Sequence, residues 1–192
     1  MLLNLPFYRD EIFENITFAG YELAKIDFDN CHFIGCDLSN LHLTNTNFSE
    51  CEFKNCDLSN AALTGTTVQE CRFTNCKLLG LKFEACNPIL LSFSFKDCQL
   101  NFSSFFGLKL KGTNFLNCTL EQADFTEADL SNSIFSDCNL KEVIFDHTIL
   151  ENADMETAYN LSLDPENNNI KKATFSTTNI SGLLDKYEVI IK

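Results

Sequence analysis

A large apolar residue returns at every fifth position along most of this chain. The series runs Phe13, Phe18, Leu23, Phe28, Phe33, Leu38, Leu43, Phe48, Phe53, Leu58, Leu63, Val68, Phe73, Leu78 and Phe83. It slips by two residues and resumes at Leu90, Phe95, Leu100, Phe105, Leu110, Phe115, Leu120, Phe125, Leu130, Phe135, Leu140, Phe145, Leu150 and Met155. The position two before each of these is mostly Cys, Ala, Thr or Ser. On an α-helix a step of five turns roughly 140° and would scatter the large side chains around the axis. In a continuous strand an odd step would flip every second one to the opposite face. The pattern works if each pentapeptide is a short extended piece followed by a bend. The small and the large residue, two apart, then point inward together, and the other three positions face out and turn the corner. Asn or Gly at Gly20, Asn30, Gly35, Asn40, Asn45, Asn55, Asn60, Gly65, Asn75 and Gly80 supplies corner residues that tolerate turn conformations.

The ten cysteines set the larger period. Cys31, Cys51 and Cys71 are spaced by twenty, as are Cys36, Cys56 and Cys76, and again Cys98, Cys118 and Cys138. Four pentapeptides therefore make one coil of a solenoid. After the slip the cysteines match the CxL column and not the CxF column, so a two-residue insertion near 86–92 keeps the coil register. One side then carries Phe13, Phe33, Phe53, Phe73, Phe95, Phe115, Phe135, Met155 and Phe175.

Segments such as CDLSN at 36–40 and 56–60, ADFTE at 123–127 and ADLSN at 128–132 resemble the pentapeptide-repeat family, with its consensus A(D/N)LXX. The resemblance covers about residues 11–180. It implies an all-β fold, a right-handed quadrilateral β-helix, here of about eight coils. Residues 1–10 are expected to cap the first coil, with Leu2, Leu3, Leu5 and Phe7 over the open end of the stack. An irregular side is expected at 160–170, where Asp164-Pro165 and Asn167–Asn169 read as an exposed turn.

Residues 181–192 form a tail outside the lattice. Leu183, Leu184 and Tyr187 suit one face of a short helix starting near Ser181, and Val189, Ile190 and Ile191 look like a short strand. Such an apolar tail is either an end cap or a homodimer seam, and the seam is the expectation. The Qnr-like branch of the family pairs its protomers through segments of this kind.

Candidate chemistry is sparse. The CxxxxC spacing is not that of a zinc ribbon, and inward thiols behave as small apolar fillers. They imply a reducing compartment. With no signal peptide and no apolar run of membrane-spanning length, the expectation is a cytoplasmic protein without membrane attachment. His32 and His42 fall on different sides of one coil, and no nucleotide, zinc-protease or serine-hydrolase motif is present. A filled solenoid has no place for a substrate, so no catalytic residue, cofactor or metal is assigned.

Charge is the remaining signal. The net charge is −13 and uneven. Residues 1–57 carry ten acids against three bases, whereas residues 58–120 carry three acids and six bases. Residues 121–156 carry ten acids against Lys141 alone, among them Glu121, Asp124, Glu127, Asp129, Asp146, Glu151, Asp154 and Glu156. Solubility accounts for acidity in general but not for this clustering beside the tail. Coils stacked at roughly 4.8 Å give a rod of about 38 Å, and a C-terminal dimer about twice that. That span is comparable to roughly twenty base pairs at about 3.4 Å each.

The resemblance implies a DNA mimic that binds a type II topoisomerase, DNA gyrase or topoisomerase IV, and protects it from quinolones. Phosphates would be repelled, so no direct nucleic-acid binding is expected. Some Qnr proteins carry long projecting loops, whereas this chain has only the small insertion near Asn87–Leu91 and the irregular side at 160–170. The alternative is a generic interaction scaffold whose contact surface is the less acidic middle, with Lys82, Lys96, Lys109 and Lys111.

Overall fold

The computed structural model describes residues 5–190. Eleven short strands appear in chain order: β1 (Phe7–Arg9), β2 (Ile12–Glu14), β3 (Asp27–Asp29), β4 (His32–Ile34), β5 (Asn47–Ser49), β6 (Glu52–Lys54), β7 (Thr67–Gln69), β8 (Cys71–Thr74), β9 (Phe93–Lys96), β10 (Asn114–Leu116) and β11 (Ile134–Ser136). All pairings are parallel. One sheet has the order β1-β3-β5-β7, the other β11-β10-β9-β8-β6-β4-β2. Isolated parallel bridges such as Asp37↔Asp57↔Lys77 and Lys82↔Ser104↔Asp124 mark the two remaining sides. The chain is thus a four-sided parallel solenoid. Side one carries Phe13 and its column, side two Phe18 and Leu38, side three Leu23 and Leu43, and side four Tyr8, Phe28 and Phe48.

The seven-stranded sheet spans about six turns, and single bridges carry side one on to Asp154 and Thr174. The strand-built part is therefore slightly shorter than the eight coils the lattice implies. At the start, β1 already pairs with β3, so the ladder begins before residue 11. Leu5 and Phe7 are exposed and do not cover the stack. Tyr8 closes it instead, with its ring 5.5 Å from Phe28. Leu2 and Leu3 lie outside the described residues.

The core is a set of ring stacks. On side one Phe33, Phe53 and Phe73 follow one another at 4.8 Å, nearly parallel. The facing columns of sides one and three meet edge to face across the core, as Phe115 and Phe125 do at 84°. The spacing is the inter-strand distance, so each ring meets its image one coil away and the preferred offset geometries repeat.

The small inward residue does more than fill. Its side chain donates to the carbonyl of the large residue one coil back. Thr46 Oγ1 reaches Leu23 O at 2.8 Å, Ser133 Oγ reaches Leu110 O at 3.0 Å, and Cys138 Sγ reaches Phe115 O at 3.2 Å. Cys, Thr and Ser therefore share a role that Ala lacks. All ten cysteines are unpaired and buried. Burial, with the nearby Glu84 charge, pushes the Cys86 thiol up to about 12. Hydrogen bonding with the Cys51 sulfur and burial push Cys31 up as well.

Corners use the left-handed region. Asn40, Asn60, Asn75 and Gly80 all have positive φ, as do the other Asn and Gly corners read from the sequence. Asn pays little there, and its amide can stack: Asn75 Nδ2 donates to Asn55 Oδ1 at 2.7 Å. Gly35 has a second reason to be Gly, since a Cβ there would lie 2.5 Å from Asn15 Oδ1.

The two-residue slip resolves differently from the lattice. Five-residue counting points Leu90 inward, but it is 64% exposed, with φ 63°. Pro88 has no N–H to continue the pairing, so residues 87–91 bulge outward. Asn87 N still bonds Thr66 O, and Ser92 N bonds Val68 O, which brackets the bulge. Phe93 then turns in where a cysteine stands on the coils below and pairs with Cys71. Its ring, 5.2 Å from Phe83 and 5.0 Å from Phe95, fills the space left by Leu90.

Only thiolate reacts readily with a disulfide reagent, and all ten thiols are buried beneath the coil backbone. The expectation is that an aromatic disulfide reagent labels no cysteine of the native protein faster than the chain unfolds. All ten should react together in denaturant, measured by thiol titration at neutral pH.

Candidate functional site

The acids of residues 121–156 are held by two kinds of position. Asp124, Asp129 and Asp154 stand at the middle of a side, each just before an inward Phe, Leu or Met. Asp124 bridges Ser104 and Ile144 on side three, Asp129 bridges Lys109 and Ile149 on side four, and Asp154 bridges Ile134 and Thr174 on side one. Each spends one oxygen on its own turn. Asp124 Oδ1 accepts from the Thr126 amide at 2.8 Å, Asp129 Oδ1 from Ser131 at 3.1 Å, and Asp154 Oδ1 from Glu156 at 3.1 Å. The same contact recurs at Asp37 and Asp57, each 2.9 Å from the amide two residues on. The Asp or Asn of the repeat is thus a turn-forming residue, whose second oxygen remains outward.

The other five of the eight named acids stand at corners, as do Asp137 and Glu142. Glu121 lies between sides two and three and accepts from Asn139 Nδ2 at 2.8 Å. Glu127 and Asp146 share the corner between sides three and four, the Glu127 amide bonding the Asp146 carbonyl at 2.8 Å. Glu151, between sides four and one, pairs with Lys171 at 3.2 Å, and Glu156 is exposed between sides one and two. The eight acids therefore form a belt around the rod and not a strip along one side. Among the described residues two of them pair with a lysine, Glu151 with Lys171 and Asp129 with Lys111 Nζ at 3.2 Å, and Asp146 lies 3.0 Å from His147 Nδ1. Partial burial opposes ionisation of Asp129, but hydrogen bonds from Ser131 and Lys111 outweigh it and hold the carboxyl below its ordinary value.

His32 and His42 remain on separate sides. His32 Nδ1 lies 3.2 Å from Glu52, which also pairs with Arg72 at 2.8 Å. The interior is filled; a void of about 10 Å³ remains beside Val68, where the Phe column of side four narrows. Among the described residues no helix is long and apolar enough to cross a membrane.

The tail departs from its expected form. Ile180–Leu183 and Asp185–Tyr187 are single 3-10 turns, and Val189 and Ile190 form no strand. Ile191 lies outside the described residues. The cause is the tight fold back over the last coil. Gly182 O accepts from Leu163 N at 3.1 Å, and any Cβ on Gly182 would overlap the Leu161 carbonyl. Asn179 Nδ2 ties down Met155 O and Ala158 O at 2.7 and 2.9 Å. Lys186 Nζ lies 2.6 Å from Asp164 and 2.7 Å from Glu166, and Tyr187 Oη donates to Glu166 at 2.8 Å. The tail is held by this polar clasp, which sequence reading missed because its acids sit in the irregular side. Leu183 is half-buried on the core, whereas Leu184, Tyr187 and Val189 are exposed and Ile190 is 86% exposed.

Two outcomes are expected. Asp124→Asn should leave stability unchanged, because an amide oxygen still accepts the Thr126 amide. Asp124→Ala should cost about 1 kcal/mol in denaturant unfolding. Separately, the Lys186 ammonium holds the Asp164 and Glu166 carboxyls below their ordinary values. Depressed carboxylates stabilise fully above their unfolded values, about 4, and lose that contribution as pH falls through the folded ones. The tail should therefore release below about pH 4. Tyr187 ring NMR signals should move toward those that Lys186→Met gives at neutral pH.

A family profile described as "Pentapeptide repeat region" matches residues 9–83 and 87–155. No curated protein matches the chain by sequence. Among solved structures, a trypsin-treated variant of QnrB1, a plasmid-mediated fluoroquinolone resistance protein, superposes with TM-score 0.63 at 16% identity. That match covers 97% of this chain and 100% of the other. Full-length QnrB1 gives TM-score 0.51 at 18% identity, over 95% of this chain and 100% of the other. HetL, a pentapeptide repeat protein involved in heterocyst differentiation regulation from the cyanobacterium Nostoc, gives 0.49 at 17% identity, over 87% and 86%. The profile is interrupted at 84–86, next to the bulge at 87–91 that carries the two-residue slip. With a matching lattice and a matching fold, this chain belongs to the pentapeptide-repeat family.

Proposed function

We propose that this protein is a non-enzymatic DNA mimic that binds a type II topoisomerase, DNA gyrase or topoisomerase IV, and shields it from quinolones. The belt of outward carboxylates on the coils next to the tail carries this reading. A narrow rod ringed by negative charge can occupy a basic channel built for a duplex, and a complementary field speeds encounter. The likeness of fold to QnrB1 supports the same direction. The exposed face of Leu184, Tyr187, Val189 and Ile190 supports a C-terminal homodimer that lengthens the rod and joins two belts. Ten unpaired thiols support a reducing, cytoplasmic setting.

A second reading is a general interaction scaffold whose contact lies in the middle coils. The exposed Phe102 and Phe106, near Lys82, Lys96, Lys109 and Lys111, favour it. The two differ in salt dependence, since exposed charge pairs are screened and apolar contacts are not.

Binding to purified gyrase should weaken steeply with salt. Combining Asp124→Asn, Glu127→Gln and Asp146→Asn should weaken it about tenfold, roughly 1.4 kcal/mol, without lowering the melting temperature. No binding by the native protein, and no effect on supercoiling or its inhibition by a quinolone, would sink the topoisomerase reading. Solution mass tests the dimer.

A further inference from the structure

Two corners break the chemistry of their columns. Phe102 occupies a position filled by Asn40, Asn60 and Gly80 on the coils below, yet it keeps the left-handed backbone with φ 62°. Leu90, in the bulge, has φ 63°. Bulky residues are disfavoured in this region. Neither gains burial in return, at 61% and 64% exposure. Phe106, at the next corner of the same coil as Phe102, is 46% exposed. No ring contact involves either phenylalanine among the described residues. The bulge lies against this coil, since Pro88 and Leu91 line one shallow cleft with Gly107, Leu108 and Lys109. Phe102 and Phe106 thus flank side three of one coil, the bulge meets that coil just beyond Phe106, and these solvent-facing apolar residues have no role in the fold.

We propose that Ile89, Leu90, Phe102 and Phe106 form an apolar docking ridge for a cationic protein surface that carries apolar side chains of its own. Charge selects this occupant. The coil above the ridge is the start of the acidic belt: Phe102 N bonds Glu121 O at 2.9 Å, and Phe105 N bonds Asp124 O at 2.8 Å. On the lower margin Lys82 stands two residues from Glu84 in sequence, and Lys111 pairs with Asp129. Lys109 lines the cleft, and among the described residues neither it nor Lys82 has an ion pair. Although residues 58–120 as a whole are the less acidic stretch, Glu84, Glu121, Asp124 and Glu127 outnumber Lys82 and Lys109 around these residues, so the local field attracts cations and repels an acidic partner. A second copy would bring the same negative surface and is disfavoured for that reason. The charge sign rests on the reading proposed above, whereas the apolar contact does not. A bare duplex has no such projections, so the ridge would add a contact that DNA cannot make.

The test uses the intact protein and two synthetic peptides of equal length and positive charge, one of Lys and Leu, the other of Lys and Ser. The native protein should prefer the Leu peptide about tenfold. Leu90→Asn with Phe102→Asn should abolish most of that preference while the melting temperature holds or rises, because Asn suits both backbones. Phe106→Ser, at an ordinary backbone position, should reduce it independently. Equal binding of the two peptides, a preference unchanged in these variants, or tighter binding of a Glu and Leu peptide would overturn the proposal. So would conversion of a dimer to a monomer by Leu90→Asn with Phe102→Asn, which would make a second copy the occupant. Failure of gyrase to bind would sink the earlier reading and leave this comparison to decide its own case.

Discussion

Each coil of this protein must satisfy the backbone groups of the coil above it. The strands are three or four residues long, too short to hold a sheet by themselves, and an unpaired buried amide costs more than most side-chain contacts return. The ladder therefore has to repeat at one spacing on all four sides, and the side chains inherit that spacing. Phe33 stacks on Phe53 because their amides are in register, and Thr46 reaches Leu23 O for the same reason. The left-handed corners follow too, since a turn every five residues is needed to return the chain to its own ladder.

That dependence explains what could be read from residues alone. Columns such as Phe13 to Phe175 are visible because identical environments recur at a fixed count, and so are the Asn and Gly corners. Counting fails where the chain leaves the ladder. A constant five-residue step through the insertion points Leu90 inward, whereas Pro88 ends the pairing and Phe93 takes the inward place. The tail residues do suit one face of a helix, but Gly182 must pass against Leu161, and the chain folds as two tight turns. The clasp of Lys186 with Asp164 and Glu166 joins segments about twenty residues apart in an irregular stretch, where no period points to it.

The acids show how position and charge separate. A census of residues 121–156 treats ten carboxylates alike. The coil distinguishes Asp124, Asp129 and Asp154, each needed locally for its turn, from Glu127 and Glu156, which the fold does not use. The clustering is consequently weaker evidence than its count implies at the mid-side positions and stronger at the corners. The same separation makes Phe102 conspicuous, because its column shows what the backbone there prefers. Its exposure against that preference would have been visible in the sequence as Phe following Asn, Asn and Gly at matching corners.

The bulge at 87–91 leaves the coils above and below it in register, with Asn87 and Ser92 still bonded to the coil beneath. Rise along the axis is thus set by backbone pairing alone, and the contour length of any one side is free to vary. Such a frame can lengthen a single side, by two residues here, without disturbing its remaining three sides or its height. In evolutionary terms, a solenoid of this kind can trial new surface by insertion at one edge while its scaffold goes on folding as before.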